Sequence, residues 1–194
     1  MVRMKGLAHD LAWWPGIDKN IEGIAKSCEG CQEVQKSPEI APLHCWEFPS
    51  RPWQRIHIDF AGPFHQKIIL VIVDAHSKWP EVFVMSSTTA EKTISVLRSQ
   101  FARFGVPEQF VSDSGPQFVS KEFERFTEAN GIHHIMSAPY HPSTNGLAER
   151  FIQTFKKGIS SFLENIPLQM KLDNLLQAYR NSPHGTIGQS PLLC

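Results

Sequence analysis

Three acidic residues have the types and the spacing needed for metal-assisted chemistry at phosphorus. Thirty-five residues separate Asp113 from Glu149, and a third acid, Asp59, lies in an alternating run that begins at Arg55. Two carboxylates at strand ends and one on a helix can converge to hold a pair of divalent cations. Cations about 3.5–4 Å apart are a standard device for in-line displacement at phosphorus. The spacing therefore points to an enzyme that cuts or joins a nucleic-acid backbone.

Five short segments have the composition of β-strands. Residues 55–60 alternate between apolar and polar side chains, which predicts a half-buried strand with His57 and Asp59 as its polar members. Residues 68–74 form a nearly continuous apolar run that fits a central strand, and residues 81–85 form a third. The simplest pairing of these three strands is an antiparallel meander. Two further strands are predicted, at residues 109–113 and 132–136.

Helices are predicted between and after these strands. Thr88 begins the first helix, with Glu91 three residues later in the register of a capping box. Ser120 caps a second helix. Two long helices are predicted over residues 143–164 and 168–179. The order is therefore three strands, helix, strand, helix, strand, and then the long helices.

The helix predicted over residues 143–164 has two distinct faces. Its apolar face should lie against the core, because its members recur at helical spacing. These residues are Ala148, Ile152, Phe155, Ile159 and Phe162. Glu149, Gln153 and Lys156 follow the same course one residue later, so that a metal-binding acid and a cation share one polar face.

Size and composition describe an ordinary globular protein. The chain has 194 residues, of which 41% are hydrophobic and 20% charged, enough for one core and a small appendage. No apolar run reaches the ~18 residues that a membrane span requires, and the N-terminus lacks the layout of a signal peptide. Nineteen acids balance nineteen Lys plus Arg residues. This balance argues against tight nonspecific DNA binding by the chain alone, although it is compatible with a local basic groove.

Cysteine usage indicates a metal site rather than a disulfide framework. Of the four cysteines, only Cys28 and Cys31 form a recognisable pair, and their Cys-x-x-Cys spacing is typical of metal ligands. A closed structural zinc site needs four ligands, which two thiolates do not supply. We therefore expect a reducing compartment and a partial Zn²⁺ site.

Six ordered blocks resemble sequences of the retroviral-type integrases of the D,D-35-E class, in particular those of gypsy-type LTR retrotransposons. The blocks are Trp13–Asp18, Cys28–Gln32, Ile58–Pro63, Asp74–Glu81, Phe110–Phe118 and Pro139–Arg150. The resemblance covers nearly the whole chain, which makes it far more specific than three acids alone. It implies an α/β protein with an RNase H-like fold: a mixed five-stranded sheet flanked by helices, with a small helical N-terminal remnant.

The resemblance also implies a domain organisation. Residues 1–36 correspond to the end of a helical zinc-binding module, which in the family holds Zn²⁺ through two His residues followed by a Cys-x-x-Cys pair. The two His residues would lie upstream of Met1, so Zn²⁺ is expected only if those ligands are present. Residues 37–52 contain four prolines and are typical of an extended linker. Residues 53–194 correspond to the catalytic core, ending before any C-terminal domain.

In the family the first aspartate contacts both metal ions. Asp59 is therefore expected to bridge two Mg²⁺ or Mn²⁺ ions, while Asp113 and Glu149 each complete the shell of one. One ion would activate water or a 3′-hydroxyl, and the other would stabilise the departing oxygen. Asp74 also follows a strand, but its block holds no metal ligand in the family, and we leave it out of the site.

Two groups of residues are expected to contact DNA. In the family the loop before the catalytic helix touches DNA near the cleavage point. Its residues here are Tyr140, His141, Ser143 and Asn145. Lys156 resembles the family lysine that meets the end of the element DNA, and Gln153 lies on the same helix face. The alternatives are that Ser143 and Asn145 are ordinary helix caps and that Lys156 is a solvated surface residue.

The implied activity is metal-dependent trimming of the 3′ ends of element DNA by water, followed by strand transfer by the new 3′-hydroxyl. The expected partners are double-stranded DNA, at the element ends and the target, and further copies of the chain in a homo-oligomer. No membrane partner is expected. The substrate implies action in the nucleus, and in an intact element the module would be part of a pol polyprotein.

Two other functions fit parts of the sequence. A domesticated or decayed copy would act only as a DNA- or protein-binding module, although the presence of all three acids favours an enzyme. A plain nuclease could share an RNase H-like sheet, since fold does not determine function. The His141–Arg150 block and the pair Cys28 and Cys31 argue against that second alternative.

Overall fold

The chain divides into two compact units, Met1–His44 and Cys45–Cys194. The computed structural model describes residues 2–27, 46–64, 66–137, 145–162 and 165–194. Five residues with predicted metal or DNA roles lie outside these ranges: Cys28, Cys31, Tyr140, His141 and Ser143. Their roles stay predictions.

The described residues of the first unit form two helices, α1 (Val2–Leu11) and α2 (Ile17–Ser27). The Lys5 ammonium donates to Glu22 Oε1 at 2.6 Å and so links the two helices. Because residues 28–45 lie outside the described part of the chain, the boundary of the zinc-binding module at residue 36 stays a prediction.

The second unit is built on a five-stranded sheet with the order β3-β2-β1-β4-β5. Its strands are β1 (Arg55–Phe64), β2 (Lys67–Asp74), β3 (Pro80–Met85), β4 (Gln109–Ser112) and β5 (His133–Met136). The pairs β1–β2 and β2–β3 are antiparallel, which confirms the predicted meander. Strand β4 runs parallel to β1, and β5 runs parallel to β4. The sheet is therefore mixed, as expected.

Helices cover both faces of this sheet. They are α3 (Ala90–Phe104), α4 (Pro116–Val119), α5 (Lys121–Ala129), α6 (Gly146–Ser161) and α7 (Leu168–Asn181), with a 3₁₀ turn at Pro191–Leu193. Thr88 was predicted to begin α3, but the cap is Thr89, whose hydroxyl accepts from the Lys92 amide. Ser120 caps α5 as predicted. Among the described residues, no helix has the length and apolar character to span a bilayer.

The sheet separates two hydrophobic layers. One layer joins Ile56 and Ile58 of β1 to Phe123 of α5. The other joins Ala61 of β1 to side chains of α6 and α7, among them Phe155. Both faces of β1 are therefore covered, and the prediction of a half-buried strand was wrong. His57 is only 2% exposed, and on the face that its sequence pattern marked as polar it contacts Asn145 at the start of α6 and the ring of Trp46.

Candidate active site

Asp59 lies on β1, and Asp113 lies just beyond the end of β4, which runs parallel to β1. Strand β1 pairs with β4 so that His57 faces Val111. If this register is extended by two residues, Asp113, which directly follows β4, lies opposite Asp59. Side chains two residues apart share one face of a strand. Asp59 therefore lies on the same face of β1 as Ala61, which packs into the layer formed with α6 and α7.

Helix α6 brings Glu149 to this face of the sheet. Ile152 and Phe155 of α6 are buried in the same layer as Ala61. Glu149 lies in the first turn of the helix and is half-buried. The apolar stripe at helical spacing thus docks α6 on the sheet and leaves the acid one position away from it, as its sequence pattern predicted.

The three acids interact electrostatically. Burial raises the pKa of Asp59 to about 6, and repulsion by Asp113 and Glu149 adds to that shift. The amide of Phe60 donates to Asp59 and opposes the rise, as does the positive charge of Lys156. Burial also raises the pKa of Glu149, with repulsion by Asp113 as a second cause. The site therefore destabilises negative charge, which a cation would relieve.

Each of these carboxylates keeps oxygen atoms that accept no hydrogen bond from the described residues. Asp59 Oδ1 accepts from the Phe60 amide at 2.7 Å, and Asp113 Oδ1 accepts from the Gly115 amide at 3.1 Å. Among the described residues, no group of three His, Cys, Asp or Glu side chains is arranged to hold a metal ion directly. The acids are thus electrostatically coupled but do not form a closed metal cluster as they stand.

Asn145 is buried instead of lying on a DNA-facing surface. Its side chain is 0% exposed. Nδ2 donates to the Ile58 carbonyl at 3.0 Å, and Oδ1 lies 3.2 Å from His57 Nδ1. Both ends of the amide are therefore engaged within the protein, and the structure does not place this side chain where DNA could reach it.

Gln153 and Lys156 are exposed on α6, on the polar face predicted for that helix. The positive charge of Lys156 opposes the rise in the pKa of Asp59, although burial and the neighbouring acids outweigh it. A cation therefore lies near the acids at an accessible surface. This position is compatible with a phosphate contact, and the assignment of both residues to DNA stays a prediction.

A second set of hydrogen bonds holds the end of β4. The Ser112 hydroxyl donates to the Asp113 carbonyl and lies 2.8 Å from His134 Nε2. The Ser114 hydroxyl donates to the Ser137 carbonyl at 3.0 Å. The contacts with His134 and Ser137 join residues more than twenty positions apart in the chain, so no local sequence signal marked them. They attach the backbone around Asp113 to β5.

Asp74 is the last residue of β2, much as Asp113 directly follows β4, but its carboxylate is fully engaged. It is 1% exposed. Oδ1 accepts from the amides of Trp53 and His76, and Oδ2 accepts from the amide and the hydroxyl of Ser77. With four donors on two oxygens, Asp74 shapes the turn after β2 and presents no oxygen to a metal.

The core unit matches a known protein family. A family profile described as integrase core domain matches residues 49–142, and a second profile with the same description matches residues 130–191. Together the two matches run from before β1 to beyond α7. They include all three acids.

Similar sequences occur in an animal protein and in viral polyproteins. The uncharacterized protein K02A2.6 of Caenorhabditis elegans is 42% identical over 196 residues, covering 100% of this chain and 16% of its own length. The Pro-Pol polyprotein of feline foamy virus is 29% identical over 183 residues, covering 89% and 15%. The Gag-Pol polyprotein of walleye dermal sarcoma virus is 33% identical over 157 residues, covering 79% and 9%. The chain thus spans less than a fifth of the length of these relatives.

Solved structures share the fold. A chain of the simian T-cell lymphotropic virus intasome in complex with PP2A regulatory subunit B56 gamma matches with a TM-score of 0.71 at 21% identity, covering 90% of this chain and 65% of that chain. The HTLV-2 integrase catalytic core domain in complex with magnesium, in its trimeric form, matches with a TM-score of 0.61 at 23% identity, covering 73% and 95%. These likenesses confirm the predicted RNase H-like fold.

Proposed function

Because this chain belongs to the retroviral-type integrases, we propose that its core unit carries out metal-dependent DNA integration. The reaction would have two steps: trimming of the 3′ ends of element DNA by water, then strand transfer to target DNA by the new 3′-hydroxyl. The observation that carries this proposal is the coupling of the three acids. Asp59, Asp113 and Glu149 come from β1, the end of β4 and α6, and their charges repel one another.

The donor set fits a hard divalent cation. Mg²⁺ and Mn²⁺ prefer oxygen ligands, and Mg²⁺ completes its shell with water and substrate phosphate. Asp59 would contact both ions, with Asp113 on one and Glu149 on the other. When bound, the two ions would lower the pKa of the attacking oxygen and stabilise the departing one. The protein itself would supply the parallel strands β1 and β4 and the docked helix α6, which hold these carboxylates near the end of β4.

The DNA would approach along the exposed face of α6. Lys156 would neutralise a phosphate near the acids, and Gln153, about one helical turn before it, is exposed as well. We further propose that Tyr140, His141 and Ser143, which precede α6, contact the DNA near the reacting phosphate. The helix N-terminus would favour an anionic group there.

We place this activity in an LTR retrotransposon of the gypsy type, in a chain that forms part of a pol polyprotein. The viral relatives are named as polyproteins, and the chain spans a small share of each. The similar simian virus structure is described as an intasome, which supports self-association on DNA. We place the activity in the nucleus because the proposed substrate is DNA. Zn²⁺ would bind Cys28 and Cys31 only if two further His ligands are supplied upstream.

A disintegration assay on branched DNA, with Mg²⁺ or Mn²⁺, tests the proposal most directly. This reversal of strand transfer depends least on flanking domains. We expect metal-dependent resealing by the wild-type chain and a loss of at least about a hundredfold in Asp59→Asn and Glu149→Gln. Glu122→Gln, which changes an exposed acid on α5, is the matched control and should retain activity.

Lys156 and Lys157 form a second matched pair, because both are exposed neighbours on α6. We expect Lys156→Ala to weaken DNA binding more than Lys157→Ala and to reduce its dependence on salt concentration. A folded, metal-binding wild-type chain without any resealing activity would instead favour the binding-only alternative, a domesticated or decayed copy.

A further inference from the structure

Asn145 occupies an unusual position for a helix cap. It is the N-cap of α6, and an Asn at this position ordinarily accepts a hydrogen bond from an amide of the first helical turn. Here the side chain makes no such cap bond. It points instead into the protein, where Nδ2 donates to the Ile58 carbonyl and Oδ1 meets His57 Nδ1. The side chain thus makes two long-range contacts, with residues 87 and 88 positions earlier in the chain, in place of the local cap bond.

The two anchors of Asn145 immediately precede Asp59. Ile58 is one residue before this acid on β1, and His57 is two residues before it on the same face. On the other side, Glu149 follows Asn145 by four residues, about one helical turn. Among the described residues, these two contacts are the side-chain hydrogen bonds that join the start of α6 to β1. The amide thus bridges the backbone segments that carry two of the three acids.

Burial makes this bridge specific. The amide of Asn145 is 0% exposed, and His57 is 2% exposed. A buried polar group that loses its partner keeps its full desolvation cost, so alternative placements of α6 against β1 are strongly disfavoured. Apolar packing of α6 alone tolerates small sliding movements, whereas two hydrogen bonds with defined directions restrict them.

We propose that Asn145 is a positioning residue for the metal-binding carboxylates, setting the separation of Asp59 and Glu149 through its bonds to Ile58 and His57. This inference rests on the proposed function, because it assumes that the two acids share metal ions. It assigns Asn145 a different role from a DNA contact. Groups that orient metal ligands without touching the metal commonly change metal affinity or activity by about 10- to 100-fold when removed.

The test uses the full chain with Mn²⁺ as the probe. Mn²⁺ affinity is measured calorimetrically without DNA, and the Mn²⁺ dependence and DNA KM are measured in the disintegration assay. Asn145→Ala removes both bonds, and His57→Ala removes one. Asn130→Ala is the matched control. Asn130 Nδ2 donates to the Phe126 carbonyl at the end of α5, and Asn130 precedes β5, so it lies near the opposite end of the parallel strands from Asp113.

We expect Asn145→Ala to weaken Mn²⁺ binding about tenfold or more and to raise the Mn²⁺ concentration for half-maximal activity in parallel, with DNA KM unchanged. His57→Ala should weaken Mn²⁺ binding by about threefold, since one hydrogen bond remains. Asn130→Ala should bind Mn²⁺ like the wild type. A purely structural role would lower the amount of folded protein without moving the Mn²⁺ affinity of the folded fraction.

Mn²⁺ affinities within twofold of the wild type in both folded variants would overturn the inference. A raised DNA KM with unchanged Mn²⁺ affinity would overturn it as well, in favour of a DNA contact. If Asn145→Ala does not fold, His57→Ala decides the question. A wild-type chain that binds Mn²⁺ but lacks activity would contradict only the proposed function. The calorimetric comparison of Mn²⁺ affinities would still test the positioning role of Asn145. A wild-type chain that binds no Mn²⁺ would overturn both.

Discussion

Asp113, which directly follows β4, falls opposite Asp59 of the parallel strand β1 when the register of the two strands is extended by two residues, and the two charges repel each other. Burial raises the pKa of Asp59 to about 6, and the neighbouring acids add to the rise. The metal-free site is therefore a place where the fold holds like charges together at a cost in stability. Because of this cost, replacing a site acid should raise the free energy of unfolding, whereas replacing an acid with a structural role should lower it.

Asp59→Asn should stabilise the metal-free protein at pH 7. One pKa unit corresponds to about 1.4 kcal/mol, and partial solvent exposure screens the repulsion, so we expect a gain of about 1–2 kcal/mol. The native pKa of about 6 exceeds the ordinary value of 3.8. The native state therefore binds more protons between those values, and the destabilisation grows as pH rises from about 4 to 6. The gain should vanish below pH 4.

Urea unfolding of wild type and Asp59→Asn in EDTA, at several pH values from 4 to 8, measures this difference. Burial lowers the pKa of His57 and of His134 to about 4. Protonation of these two histidines in the unfolded state therefore lowers the free energy of unfolding as pH falls from 6.5 to 4. Since both proteins contain them, their contribution cancels in the comparison. Equal stabilities at pH 7 would contradict the prediction.

Divalent cations should stabilise the wild-type chain. At about 100 times its dissociation constant, a ligand adds about 2.7 kcal/mol, which corresponds to a rise in Tm of roughly 5–10 °C for a domain of this size. The rise should shrink as pH falls through 6, because protons compete for Asp59. Differential scanning calorimetry with Mn²⁺ and with EDTA measures it.

The matched variants for this experiment are Glu149→Gln and Glu122→Gln. The first should lose most of the Mn²⁺-dependent rise in Tm, and the second, at an exposed position on α5, should keep it. A rise of the same size in both variants would mean that the cation binds elsewhere.

Asp74→Asn should destabilise the protein while leaving its Mn²⁺ affinity unchanged. An amide nitrogen in place of one oxygen cannot accept the bonds that Ser77 or the amides of Trp53 and His76 donate. Hydrogen bonds to a charged group contribute about 1.5–3 kcal/mol each, and we expect a loss of about 2–4 kcal/mol in urea unfolding. The effect has the opposite sign to that of Asp59→Asn. Weakened Mn²⁺ binding in folded Asp74→Asn would show that Asp74 belongs to the site.

Gly158→Ala should destabilise the contact between α6 and α7. A Cβ at Gly158 would lie 2.2 Å from Leu175 Cδ1, so the buried leucine must move. Overpacking costs about 1–3 kcal/mol, partly offset by the gain of about 1 kcal/mol in helix propensity. Urea unfolding should therefore show a net loss of about 1 kcal/mol. In the Leu175→Ala background the same substitution should become neutral or stabilising.

Gly146→Ala is the control for this experiment. It adds a methyl group near the start of the same helix, where a Cβ would meet no described atom within 4 Å. We expect it to be neutral or stabilising by up to about 1 kcal/mol. A comparable loss in both variants would indicate a general intolerance of α6 to substitution.

Local patterns account for much of the fold. The apolar run that became β2 and the stripe that includes Ile152 and Phe155 depend on periodicities of the chain itself, and both were predicted correctly. The start of α3 was misplaced by one residue because Thr88 and Thr89 both offer a capping hydroxyl. Choosing between them requires the backbone path at the end of β3, which sequence spacing does not contain.

The sequence by itself predicted the three acids of the site, and it predicted the family and the order of the strands and longer helices of the core, because these depend on residue types at short range or on matching blocks. Only the tertiary structure decided that His57 is buried and that Asn145 faces the sheet instead of DNA. The same holds for the free oxygens of Asp59 and the saturated carboxylate of Asp74. These properties depend on which groups come into contact after folding. Contacts between residues far apart in the chain do not produce a periodic pattern in the sequence, so sequence analysis could not predict them.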